Sequence, residues 1–469
     1  MASSEKTPKQ KLKRDKCRVT GGRRHVPLPA GPFKVIGCRD IMTGTTGKDS
    51  GILVRLFYPA ADQSRDIRDQ YLLWPNWLPH ENYRKGYADV GQLSSPTAIK
   101  VINWLVGSAF IPCVMNAKPL RDGSKLPLII LSHGVGGCRT VSSGICLEMA
   151  SNGYLVAAIE HRDESACTTF YASEVRIPLY RSNPDLALPT VDGVGSDVQT
   201  HPKVIHTIAE EEEGEEYAVQ LRGPNNRNRN GKSFIPKTQT EWIPFQVLHE
   251  SSDGYEEKRK AQLKHRVQEC ITTMDMMEQL NRGEDVSNVL DGLLNPHEFE
   301  DLVDTDRAVL MGHSMGGATC LAAADADLRF QAVVCLDAWM FPIDGETLNL
   351  RQPIVFINSD KFQSKANLRK MSELILSQSD KDTTERKVVT IRGSVHYNQT
   401  DVPFVFTHLA KLLFGGSSKR NPFTAHDLTC SIALCFLRDH LALGHKLPER
   451  DHLLKKKQRV LKNGFPKKL

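Results

Sequence analysis

Long apolar runs are missing from this sequence. None approaches the roughly 20 residues that a membrane-crossing helix needs, and no apolar signal core follows Met1. Ala2 stands where N-myristoylation requires a glycine. Patterned cysteine is missing as well. The 11 cysteines are odd in number and none is spaced C-x-x-C, which argues against a disulfide framework and against a zinc site. No His/Asp/Glu cluster has metal-ligand spacing, and no internal repeat is visible. The expectation is a soluble protein of a reducing compartment, cytoplasmic and at most peripheral to membranes, without metal or cofactor.

Charge is present but unevenly placed. The net charge is +6. Basic residues crowd positions 6–24 and again 455–468, which leaves the body near neutral. Such ends could meet anionic lipid or nucleic acid; as solvated tails they need neither, and no nucleic-acid partner is expected. At 469 residues the chain has room for one large α/β domain with insertions. The expected division is a disordered basic tail over 1–28, a single domain over 29–469, a disordered insertion over 173–240 and a basic C-terminal tail over 445–469. The insertion is read from its acidic run at 210–216 and its Asn-Arg repeats near 225–230.

Along the body, short apolar runs at 52–58, 126–131 and 154–159 read as strands, the first ended by Pro59. Further strands are expected at 308–311, 332–336, 354–358 and 387–391, and helices at 140–152, 255–281, 404–414 and 425–440. That alternation predicts a mostly parallel, mixed sheet flanked by helices. Ser95-Pro96 opens another helix, running to about 110. Two readings of it compete. Either it packs wholly on the sheet, or Trp104 and Leu105 lie exposed at a lipid interface.

The chemistry centres on Gly312-His313-Ser314-Met315-Gly316, a G-x-S-x-G pentapeptide. Composition alone gives one such match in a chain this long roughly one time in six, so its setting decides. An apolar strand precedes it and an alanine-rich helix follows, the context of a nucleophile elbow. A serine hydroxyl needs a base, the base needs an orienting acid, and the oxyanion needs N–H donors. His396, in a turn after a strand, is the expected base. Asp337 and Asp360 both follow strands, and position alone does not choose between them. Ser132-His133-Gly134-Val135-Gly136-Gly137 follows a strand and suits an oxyanion loop, giving the backbone N–H groups of Val135 and Met315 as donors. His133 and His313 are expected to support turns.

These blocks resemble the platelet-activating-factor acetylhydrolases, the group VII phospholipases A2, in their intracellular-like form. The resemblance rests on Gly312-His313-Ser314 with Gly316-Gly317-Ala318-Thr319, on 336–342, on 391–396, on Ser132-His133-Gly134 with 156–163, and on 353–359, five separate blocks that occur in the family's order. It runs from about 31 to 443. It implies an α/β-hydrolase fold, Asp337 as the acid, and a phospholipid substrate. The implied reaction is calcium-independent removal of short or oxidised sn-2 acyl chains. Met315 stands where the family is expected to carry phenylalanine, and the 173–240 insertion is foreign to it. A carboxylesterase acting on small esters, or a silent hydrolase fold used for binding, are the alternatives.

Overall fold

The computed structural model describes residues 24–44, 47, 51–93, 95–178, 234–290, 294–376, 384–406, 417–444 and 446–465. The strands are β1 Arg24–His25, β2 Ile36–Met42, β3 Leu53–Pro59, β4 Ala109–Phe110, β5 Val114–Met115, β6 Leu126–Ser132 and β7 Leu155–Ile159. They continue with β8 Thr168–Pro178, β9 Phe234–Pro244, β10 Val303–His313, β11 Phe330–Leu336, β12 Ile354–Ser359, β13 Arg386–Ile391 and β14 Leu461–Asn463. Ten of them form one sheet in the order β14-β13-β12-β11-β10-β6-β7-β3-β2-β5. From β7 to β13 every neighbour is parallel; β3 and β14 join its two flanks antiparallel. This is the expected α/β-hydrolase architecture.

The central strands read as unbroken apolar runs because both faces of the sheet are covered. Alternate residues feed opposite cores. Ile129, Leu131, Val309 and Met311 pack to one side, among Ile145, Met149, Leu428 and Leu434 of the helices Ser143–Ser151 and Pro422–His440. Leu128, Ile130, Ala308 and Leu310 pack to the other, among Met274, Met277 and Leu321 of the helices Tyr255–Asn281 and Met315–Ala326. The period of two along each strand thus builds two cores from one sheet.

Both expected tails are shorter than composition suggests. β1 lies within 1–28 and pairs with β4, with His25 and Val26 buried beside it; residues 1–23 lie outside the described residues. The 445–469 stretch carries the helix Pro448–Lys456 and then β14, which forms the sheet's edge against β13. Leu453, Leu454, Val460 and Leu461 pack against the core. Lys455 and Lys456 fall in the helix's last turn, where a cation suits the helix dipole. Basic composition concealed an amphipathic end.

The chain divides into two compact units, Met1–Tyr171 with Trp242–Leu469, and Ala172–Glu241. The ends of the expected insertion are strands, since β8 and β9 pair as a separate two-stranded sheet; positions 179–233 lie outside the described residues. So does most of the helix expected over 404–414, of which Val402–Val405 is described. The helix opened by Ser95-Pro96 is Pro96–Val106. It does not pack wholly on the sheet. Ile102 and Val106 are buried, whereas Trp104 is 78% and Val101 42% exposed. Leu105 lies on the same helix, its side chain outside the described residues. Among the described residues no helix is long and apolar enough to cross a membrane.

Candidate active site

The sheet has a switch point between β6 and β10. The chain leaves β6 toward β7 on one side, while β10 to β13 extend on the other. At such a point the loops after the two central strands diverge and leave a crevice at the carboxyl edge. Here the loop after β6 carries His133-Gly134-Val135, and the turn after β10 carries Ser314.

Ser314 has φ 57° and ψ −121°, a conformation that costs a non-glycine residue on the order of 1–3 kcal/mol. Its neighbours enforce it. Ser314 N–H donates to Leu336 O at 3.0 Å, and the N–H groups of Gly317 and Trp339 donate to Ser314 O, each at 2.9 Å. The approach tolerates no Cβ. One at Gly312 would lie 2.1 Å from Gly316 O, and one at Gly316 2.1 Å from Ser132 O. Those two contacts explain why the elbow needs glycine on both sides of the serine. Ser314 then caps the helix Met315–Ala326, whose positive end faces the serine.

Of the two candidate acids, Asp337 is the one that meets His396, with Nδ1–H donating to Asp337 Oδ2 at 2.8 Å. That hydrogen bond leaves Nε2 as the ring's basic atom. Asp337 is fully buried and also accepts from Ser359 N at 3.0 Å, Ser359 Oγ at 2.5 Å and Gln363 Nε2 at 2.6 Å. Burial alone would raise its pKa; the hydrogen bonds from His396 and Ser359, with the charge of His396, outweigh it and hold Asp337 below the ordinary carboxylate value. Asp360 is exposed and accepts from Gly393 N at 2.9 Å. His396 is about 30% exposed at its side chain, so the expected base is not sealed from solvent.

Val135 follows a peptide whose carbonyl is pinned. Gly134 O accepts from His133 Nδ1–H at 2.8 Å and from Gly137 N at 3.1 Å. In a trans peptide the Val135 N–H points the opposite way. Among the described residues, neither Val135 N–H nor Met315 N–H is given to a hydrogen bond. His133 holds its tautomer because its Nε2 accepts from His161 N–H at 3.1 Å, and burial pushes its pKa down to about 3. Gly134 passes so close to the serine that an added Cβ would sit 2.8 Å from Ser314 Cβ. The two expected donors and the serine therefore share one small volume.

Beneath this loop lies a relay that the sequence reading did not single out. Ser132 Oγ donates to His161 Nε2 at 2.7 Å, and His161 Nδ1–H donates to Glu269 at 2.6 Å. All three residues are buried, so the relay props the loop and does not meet solvent. Arg266 adds to it, donating to His133 O at 2.6 Å and pairing with Asp163 at 2.7 Å. Glu269 lies 108 residues from His161, so no local spacing could have announced the pair. Ser359, the last residue of β12, and Gln363, in the loop after it, were not singled out as partners of Asp337, because they lie 22 and 26 residues from it and neither residue type marks such a contact. His313 does more than support its turn: its ring lies 4.4 Å from that of His396, centroid to centroid. No group of three or more His, Cys, Asp or Glu among the described residues could hold a metal ion.

Known proteins resemble this chain in sequence and in fold. The chain is 33% identical to "Platelet-activating factor acetylhydrolase" of Gallus gallus over 433 residues, 92% of this chain and 86% of that one. It is 32% identical to the protein of the same name in Canis lupus familiaris, over 94% of this chain and 82% of that one. A ferulic acid esterase from Streptomyces cinnamoneus superposes with a TM-score of 0.52 at 16% identity, covering 91% of this chain and 95% of that one, a likeness of fold. Residues 19–461 match the sequence family described as platelet-activating factor acetylhydrolase, isoform II, and the chain belongs to that family.

Proposed function

We propose that this protein is a serine esterase that removes short or oxidised sn-2 acyl chains from phospholipids, platelet-activating factor among them. Ser314 Oγ attacks the ester carbonyl. His396 Nε2 takes the serine proton and returns it to the leaving lysophospholipid oxygen. Asp337 fixes the imidazole and stabilises the imidazolium that forms. The N–H groups of Val135 and Met315 bind the developing oxyanion. Water then repeats the sequence on the acyl-serine. The observation that carries this reading is the Asp337–His396 pair beside a positive-φ serine with two unspent N–H groups. The substrate class comes from the names of the relatives. The test is acetate release from a 2-acetyl phosphatidylcholine by the wild-type protein and by Ser314→Ala. Release by the wild type alone is the expected result; no release by the wild type overturns the reading. Activity unaffected by EDTA is expected, and strong inhibition would contradict the calcium-independent mechanism.

The same reading includes weak, reversible membrane contact through the helix Pro96–Val106. Exposed Trp104 and Val101 favour it, since a tryptophan presented to solvent beside a valine suits a headgroup boundary. Leu105 and the basic residues of 6–24 belong to this proposal from the sequence. The described cysteines are buried free thiols, which suits a reducing compartment and supports a cytoplasmic location.

A further inference from the structure

The end of β12 and the loop that follows it do two things at once. Ser359 and Gln363 donate to Asp337, and between them Phe362 lies on His396 with ring centroids 3.7 Å apart and planes 15° from parallel. His313 lies 4.4 Å from the same imidazole at 32°. Two rings at those spacings cannot share one face of an imidazole, so His396 is held between them. We propose that Phe362 is a positioning residue for the general base, acting through the flat stack of its ring on the His396 imidazole. This rests on the general-base role given to His396 above.

Two consequences follow from the stack. It blocks rotation of the ring out of the plane in which Nδ1 meets Asp337, so the direction of Nε2 is fixed with it. It also presents an aromatic face to the imidazolium that each half-reaction forms, and a cation is attracted to that face. His313 adds no competing charge: burial, and next the proximity of His396, push its pKa down to about 3. Among the described residues, the titratable groups in contact with His396 are Asp337, just after β11, and His313, at the end of β10; Asp360 reaches the turn before His396 through Gly393 N. Asp337 stays ionised and His313 neutral through the working range, so neither adds a changing charge beside His396.

The test is the pH dependence of kcat/KM on a water-soluble ester. Phe362→Leu keeps an apolar side chain and removes the aromatic face. It should lower kcat about tenfold and move the acidic limb down by about one pH unit, the direction expected when the imidazolium loses a stabilising contact. Phe362→Tyr should restore the limb to its wild-type position. Phe362→Met replaces the leucine variant if that protein is unstable, and an NMR titration of His396 in Ser314→Ala reads the same shift without turnover. A leucine variant with the wild-type limb and a raised KM alone would make Phe362 a substrate contact and overturn the proposal. Full activity in His396→Ala would instead overturn the general-base reading on which it rests.

Discussion

Replacing Asp337 by asparagine changes one atom of a carboxylate that accepts four hydrogen bonds. Oδ1 takes Ser359 N–H and Gln363 Nε2; Oδ2 takes Ser359 Oγ and His396 Nδ1. The amide nitrogen must occupy one of these two places. At the Oδ1 position it would face a backbone N–H that cannot turn away, leaving two donors opposed in a fully buried site. At the Oδ2 position it meets the Ser359 hydroxyl, which can rotate to accept, and His396, which can accept only by moving its proton to Nε2. The second arrangement is the cheaper one, and it puts the proton on the atom that must be the base. The expected loss in kcat is about 10⁴-fold, the size of the wrong-tautomer effect in serine proteases, equivalent to about 5.4 kcal/mol at 1.36 kcal/mol per decade. Asp360→Asn, at an exposed residue that holds Gly393 N–H, should change kcat by less than about threefold. Steady-state hydrolysis of a water-soluble ester, with thermal unfolding to confirm that each variant is folded, decides it. An Asp337→Asn protein with more than about a tenth of wild-type kcat would refute the tautomer argument.

Trp104→Ala should weaken co-sedimentation with neutral vesicles and slow hydrolysis of vesicle-borne phospholipid, while turnover of a water-soluble ester falls less than twofold; equal loss on both substrates would make the helix face structural. Asp401 is buried, and burial raises its pKa to about 8 against an ordinary 3.8, despite hydrogen bonds from Gly144 N and Trp77 Nε1. A carboxyl raised in the folded state lends stability that is complete below its unfolded pKa and lost as pH rises through the folded one. The stability that Asp401 lends should therefore fall between pH 4 and 8, while the buried neutral His133 and His313 act with the opposite sign below about pH 6.5; the thermal midpoint of wild type minus that of Asp401→Asn should decrease across that range, and a constant difference would contradict it.

The reaction centre was legible because its parts are local. A strand, a G-x-S-x-G turn and a small-residue helix must lie together in sequence, since close approach of Gly312 and Gly316 is what permits the elbow. His396 was visible as a residue in a turn after a strand, and Asp337 as one that follows a strand directly. Choosing Asp337 over Asp360 needed either resemblance or coordinates, because both positions satisfy the same local rule. The supporting layer was not legible. Glu269 reaches His161 from a helix more than 100 residues away, and Phe362 reaches His396 from a loop whose composition resembles any exposed turn. The C-terminal strand was hidden for a different reason. Runs of lysine suggest a solvated tail, yet Leu453 and Leu454 of the helix Pro448–Lys456, with Val460 and Leu461, supply the apolar contacts that dock it, and β14 then pairs with the edge that β13 offers.

The central claim is that Ser314 is the nucleophile, and covalent labelling tests it most directly. The native protein is treated with a fluorophosphonate and digested, and the adduct is located by mass spectrometry. The account predicts one adduct, on Ser314, complete in the wild type, far slower in His396→Ala and absent in Ser314→Ala. An adduct on another residue, or full activity in a protein that never labels, would contradict it.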